Sequence, residues 1–219
     1  LRAEQLSGGG QVCPPLLAGP RPDFVPLSPA QQRYWFLNQF DTASSAVDNI
    51  PLAVRLRGEL DIEAMQAAVR DLFARHESLR TYYPATPQGP RQVVVPVSEL
   101  AFTLAPEQIS EDDVDRRVIE VATKTFDVTA EVPVHVALLA TSPTEHVLAF
   151  VIHHVSADGA SLAPLVRDVV TAYLARSAGA APQWAPLPVQ YVDYTLWQQD
   201  WLGVESDPDS VIAAQLAYW

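Results

Sequence analysis

Along this chain the spacing of apolar residues changes period several times, and each change marks an element. "IPLAVRLRGEL" alternates apolar and polar positions late in the run, which predicts a strand. In "DIEAMQAAVRDLFARH", Ile62, Met65, Val69, Leu72, Phe73 and His76 share one helical face, and Asp61 stands where a cap belongs. "LRTYYP" and "RQVVVPV" read as strands around a Pro/Gly turn. "DDVDRRVIEVATKTF" predicts a helix whose acidic first turn suits its dipole. "VPVHVALLA" and "EHVLAFVIHH" are strands joined by "TSPT"; the second is apolar on both faces, as a central strand is. "SLAPLVRDVVTAYLAR" predicts a helix with the stripe Leu162, Leu165, Val166, Val169, Val170, Tyr173 and Leu174. Upstream, "LSPAQQRYWFLNQF" offers Ser28 as a helix cap with Pro29 in the first helical position. Its consecutive Tyr34, Trp35 and Phe36 predict a helix that is apolar on more than one side. A Pro-rich connector, "GAAPQWAPLP", leads to two further helices, "VQYVDYTLWQQDWL" and "DSVIAAQLAYW", and the last apolar pattern stops without a cap.

Helices and strands without strict alternation predict an α/β sandwich, a mixed β-sheet covered by helices. Residues 1–23, rich in Gly and Pro and without period, are expected to be a linker. Residues 24–183 are expected to form the folded lobe, and 184–219 a helical segment beyond it. With 219 residues, 48% of them hydrophobic, the chain can bury a sizeable core. A net charge of -12 argues against nucleic acid and against anionic membrane surfaces, since both demand basic patches. One cysteine, Cys13, excludes an internal disulfide and fits a reducing compartment. No apolar run approaches the ~18 residues of a spanning helix, and the N-terminus lacks the pattern of a signal peptide. A cytoplasmic protein is the expectation.

The stretch "LAFVIHHVSADGAS" carries the candidate chemistry. His153 and His154 are adjacent at the end of a strand, where successive side chains point to opposite faces, so a jointly held metal is not expected. The loop "VSADG" then leads into a helix, a junction that tends to display reactive groups. Gly159 suggests a special backbone conformation or a close approach by another group. Asp158 either binds an arginine or caps the loop. The plainer alternative is a core histidine beside a solvated one, with Asp158 as a turn residue. Other schemes lack their motifs: no serine sits in a GxSxG elbow, Cys13 lies far from any histidine, and "SGGGQ" does not complete a phosphate loop.

"HHVSADG" matches the HHxxxDG motif of condensation domains of nonribosomal peptide synthetases, within the wider chloramphenicol-acetyltransferase-like superfamily. "SPAQQRYWFL" resembles that family's SxAQxRxWFL, "RHESLRTYY" its RHExLRTxF, and "YVDYTLWQ" its YxDFxxWQ, all in family order. "DNIPLAVRLRGELD" resembles the subclass that joins two L-configured units. Family members are about twice this long, so the resemblance implies the N-terminal lobe of a condensation domain, with the second lobe absent. It implies amide formation between thioesters carried on the phosphopantetheine of donor and acceptor peptidyl carrier proteins, with no cofactor bound by this chain. Carried over, His154 is the catalytic histidine facing a tunnel, and His153 turns into the core. Asp158 is structural and held by an arginine, and Gly159 lets backbone approach the thioester. Arg75 and Arg80 tie element ends to the core, unless Arg80 is simply exposed on an edge. Ser156, Ala157 and Ser161 are candidates for the tunnel wall. The isolated lobe is expected to be inactive and to self-associate through the apolar face left for its missing half. An acyltransferase with an alcohol acceptor, an epimerisation domain and a non-catalytic carrier-docking module share much of this pattern.

Overall fold

A computed structural model describes residues 13–40 and 45–218. The "SGGGQ" stretch, most of the expected linker and the final Trp219 lie outside the described residues. In chain order the elements are α1 (Pro29–Phe40), β1 (Asn49–Arg57), α2 (Ile62–Arg75), β2 (Thr81–Tyr82), β3 (Ala85–Thr86), β4 (Gly89–Pro90) and β5 (Val93–Val94). Then follow β6 (Pro106–Gln108), α3 (Val114–Ala122), β7 (Val134–Ser142), β8 (Glu145–His153), α4 (Leu162–Ser177), α5 (Tyr191–Leu202) and α6 (Val211–Tyr218), with short 3-10 turns between them.

The main sheet runs β1-β8-β7-β6. β8 pairs antiparallel with β1 and with β7, while β6 joins β7 in parallel, which makes the sheet mixed. β8 is buried along nearly its whole length, as its two-sided apolar pattern demands. Its two faces feed two cores. Leu148, Phe150 and Ile152 pack against Met65, Val69, Leu72 and Phe73 of α2 and Leu165 and Val169 of α4. Ala149 and Val151 pack with Leu27, Tyr83, Phe126 and Val121 of α3, with Tyr34 and Trp35 of α1 at the margin. Helices therefore cover both faces, the sandwich that the pattern predicts. Asp61 caps α2 by accepting the Ala64 N–H at 2.9 Å.

The structure adds detail to the readings of α1 and the linker and changes that of α4. On α1 the buried residues are Gln31 and Asn38, while Phe36 and Phe40 are exposed at 55% and 74%. Burial there follows hydrogen bonds: Gln31 accepts the Ser28 N–H and donates to Gln92, and Asn38 donates to the Phe126 carbonyl. On α4 the buried set is Leu165, Asp168, Val169 and Ala172, and Val170 and Leu174 face outward. The described part of the expected linker, residues 13–23, has almost no regular structure yet is tied down. Arg21 forks onto Asp193 at 3.1 and 3.2 Å and reaches Glu77 at 2.7 Å. The Trp197 indole N–H donates to the Pro14 carbonyl at 2.9 Å. Among the described residues no helix is long and apolar enough to cross a membrane.

Candidate active site

β8 delivers both histidines to one corner. The β1–β8 ladder reaches Asn49 opposite His153, and one further backbone bond, from His154 N–H to the Asp48 carbonyl at 2.8 Å, continues it. His153 is the last strand residue, and His154 opens the turn. Both rings lie against Tyr34 of α1: His153 edge-on at 6.3 Å and 87°, His154 stacked at 5.2 Å and 7°. The two rings thus share one tyrosine, approached in two planes.

Burial separates them. His153 is fully buried, and its Nδ1 accepts the Val155 N–H at 3.1 Å. The ring proton must then sit on Nε2, which finds no hydrogen-bond partner among the described residues. Desolvation pushes its pKa down to about 4, so it stays neutral at ordinary pH. His154 is half-buried, and among the described residues no side chain bonds to its ring nitrogens.

The loop after β8 is held by Tyr83, a fully buried residue that pattern reading passed over. Its hydroxyl donates to the Val155 carbonyl at 3.2 Å and lies 3.1 Å from the Ser156 hydroxyl. Burial pushes the phenol above its usual value, which keeps it a neutral donor. The signal was an aromatic placed just past "RHESLRT", where the short β2 enters the core.

Asp158 is exposed, and among the described residues it has no ion pair. Its carboxylate instead accepts the Ser161 N–H at 3.0 Å and the Ser161 hydroxyl at 2.7 Å, capping the turn into α4. That arrangement replaces the expected arginine. Gly159 has an ordinary negative-φ backbone and open space where a side chain would project, so no backbone demand explains it. Ser156, Ala157 and Ser161 line a cavity of about 280 Å³ together with His76, Ser78 and Leu187, and His154 is not among its walls. Among the described residues no cluster of three or more ligating side chains could hold a metal.

The arginines belong to a neighbouring seam. Arg75 Nε donates to Asp168 at 2.9 Å, Nη1 donates to the Ala185 carbonyl, and its guanidinium lies 4.7 Å from the Trp184 ring centre. His76 Nε2 meets the same Asp168 oxygen at 2.9 Å, and Arg167 reaches the other oxygen at 3.0 Å. Burial alone would raise the Asp168 pKa, but bonds from His76, Arg167 and Arg75 outweigh it and hold the carboxyl below its usual range. Burial lowers the His76 pKa despite Asp168 beside it. Arg80 is only 12% exposed and donates to the Phe73 and Val95 carbonyls at 3.0 and 2.7 Å, so it is not an edge residue. Asp168 itself escaped the sequence reading. A carboxylate three residues after Leu165, inside the buried stripe, was the available sign.

The "Condensation domain" family profile matches residues 21–219. The chain belongs to the condensation-domain family. The chain aligns with synthetases: the "Isonitrile lipopeptide synthase" of Mycobacterium tuberculosis is 50% identical over 208 residues, covering 94% of this chain and 8% of that protein. The "Dimodular nonribosomal peptide synthase" of Bacillus subtilis is 45% identical, covering 99% of this chain and 9% of its own length. Among solved structures, the X-domain in "Complex of the X-domain and OxyB from Teicoplanin Biosynthesis" matches with a TM-score of 0.89 and 38% identity, over 96% of this chain and 46% of that one. The starter condensation domain of rhizomide synthetase has a TM-score of 0.76 at 20% identity, a likeness of fold. This condensation domain of the nonribosomal peptide synthetase family thus has the chloramphenicol-acetyltransferase-like α/β architecture. It spans under a tenth of those synthetases and about half of the matched solved chains.

Proposed function

We propose that this chain is the histidine-bearing lobe of a domain that forms an amide between two carrier-tethered substrates, of the L-to-L type, with residues 24–183 as the lobe and 184–219 leading toward a second one. The acceptor's α-amine attacks the donor thioester carbonyl, the C–N bond forms, the C–S bond breaks, and the amine proton leaves to the departing thiolate. Phosphopantetheine arrives on the donor and acceptor carrier proteins and is not held by this chain. The observation that carries the reading is the corner itself: of two adjacent histidines, His153 is sealed and neutral while the ring nitrogens of His154 have no side-chain partner among the described residues.

Magnitudes decide what His154 does. An α-amine with a pKa of about 7.7–8.0 is already partly neutral at pH 7, so deprotonation costs only about 1 kcal/mol. Aligning two tethered reactants is worth about 7–11 kcal/mol. His154 therefore acts chiefly by orienting the amine and stabilising the tetrahedral intermediate, with proton acceptance second. Replacing His154 with Ala in the intact synthetase should slow amide formation by about 10²–10³-fold and leave carrier loading and thermal stability alone. Unchanged amide formation with the natural carrier-bound substrates would refute the assignment.

The lobe alone lacks a facing wall for the reaction and is inactive in this reading. Exposed Phe36, Phe40, Val170, Leu174 and Leu216 favour self-association, and sedimentation as a clean monomer would contradict that. One observation favours a second reading, a docking module without acyl transfer: two X-domain structures match at 38–39% identity with TM-scores of 0.87–0.89, against 18–20% identity for the condensation domains of the rhizomide and calcium-dependent antibiotic synthetases. Titrating a loaded carrier protein beside the amide-forming assay separates the two, since a docking module binds without turnover.

A further inference from the structure

We infer that Tyr34 is the positioning residue for His154, holding the imidazole in its working plane by ring stacking. The inference rests on the proposed role of His154 and deepens it. In most sites a carboxylate or carbonyl on one ring nitrogen orients a working histidine and leaves the other free. Here, among the described residues, neither nitrogen of His154 has such a partner. The Tyr34 ring takes that place. It lies 5.2 Å from the imidazole centre with only 7° between the planes, so both nitrogens must point along a plane parallel to the phenol face. Rotation about the ring's own bond would break the stack.

The tyrosine is itself fixed. It sits on α1 between two anchored neighbours: Gln31 is bonded to Ser28 and Gln92, and the Trp35 indole N–H donates to the Tyr83 carbonyl at 2.8 Å. The sealed His153 ring closes edge-on against the same tyrosine, and the Arg33 guanidinium lies 5.8 Å from its ring centre. Tyr83 pins the two residues that follow His154, through the Val155 carbonyl and the Ser156 hydroxyl. Tyr34, in the middle of α1, thus covers the imidazole, while Tyr83 anchors the turn that carries it. Tyr34 falls on a position that the SxAQxRxWFL pattern leaves open, so the motif gives it no role. What the stack needs is a flat ring; the phenol hydroxyl does not enter the argument.

The test uses Tyr34→Phe and Tyr34→Leu, each read in two ways. In the intact synthetase, single-turnover amide formation should be retained by Tyr34→Phe and fall by roughly 10- to 100-fold in Tyr34→Leu, with carrier loading unchanged. By NMR, the His154 ring protons of this chain should resonate upfield from the shielding of the stacked ring, keep that shift in Tyr34→Phe and lose it in Tyr34→Leu. Full activity in Tyr34→Leu beside an inactive His154→Ala would overturn the inference and leave the His154 assignment standing. Full activity in His154→Ala would remove the assignment on which the inference rests. If Tyr34→Leu does not fold, Tyr34→Phe decides: loss of either the rate or the upfield shift in that variant overturns the inference.

Discussion

The α2–α4 seam and the end of β8 each hold a histidine, and they hold it by opposite means. At the seam, His76 is bound to the Asp168 carboxylate, with Arg75 on the same oxygen and Arg167 on the other. Its chemistry is spent on structure. At the strand end, His154 is held by a backbone bond and an aromatic face, and its ring nitrogens have no side-chain partner among the described residues. The difference teaches where to look for function in this lobe: among the residues positioned without using up their polar atoms. The most heavily bonded ionisable cluster in the vicinity is a strut.

The comparison breaks first at Asp168. Asp168→Ala leaves a nearly buried guanidinium without its partner and should cost about 3–5 kcal/mol of stability, read from the urea midpoint. A loss below 1 kcal/mol would mean that the seam is not held by its charges.

Acid sharpens the contrast from the other side. The unfolded chain binds a proton at each histidine near pH 6.5, whereas folded His153 resists down to about 4. Between those values the unfolded state holds more protons, so stability falls as the pH drops through that window, by about 3 kcal/mol from His153 alone. His76 and His135, also lowered by burial, act in the same direction, and Asp168 adds its loss further down. Stability measured against pH should flatten in His153→Leu; an unchanged slope would show that His153 is not the sealed partner.

The smallest effect belongs to Asp158. With a capping role and no arginine partner among the described residues, Asp158→Ala should cost about 1 kcal/mol, far less than Asp168→Ala. Equal costs would restore a buried ionic role for Asp158.

Much of this was legible in the sequence because period encodes burial directly. The two-sided apolar run of β8 and the spaced stripe of α2 are both in the structure, as is the Asp61 cap. β6 was not legible: "PEQ" has neither alternation nor β propensity, and its pairing exists only because β7 lies parallel to it. The aromatics of α1 do lie on more than one side, but the burial of Gln31 and Asn38 was not legible, because hydrogen bonds, which carry no periodicity, decide it. At the site, the unequal fates of two adjacent histidines could be read from a strand end. The tyrosine that both rings share could not, since it comes from a helix more than a hundred residues upstream.

The central claim is that only one of the neighbouring imidazoles is open to chemistry. Brief treatment of the folded chain with diethyl pyrocarbonate at neutral pH, mapped by peptide mass spectrometry, tests it directly. The account predicts acylation at His154 while His153 stays unmodified until the chain is unfolded. Modification of His153 at a comparable rate, or protection of His154 equal to that of His153, would contradict it.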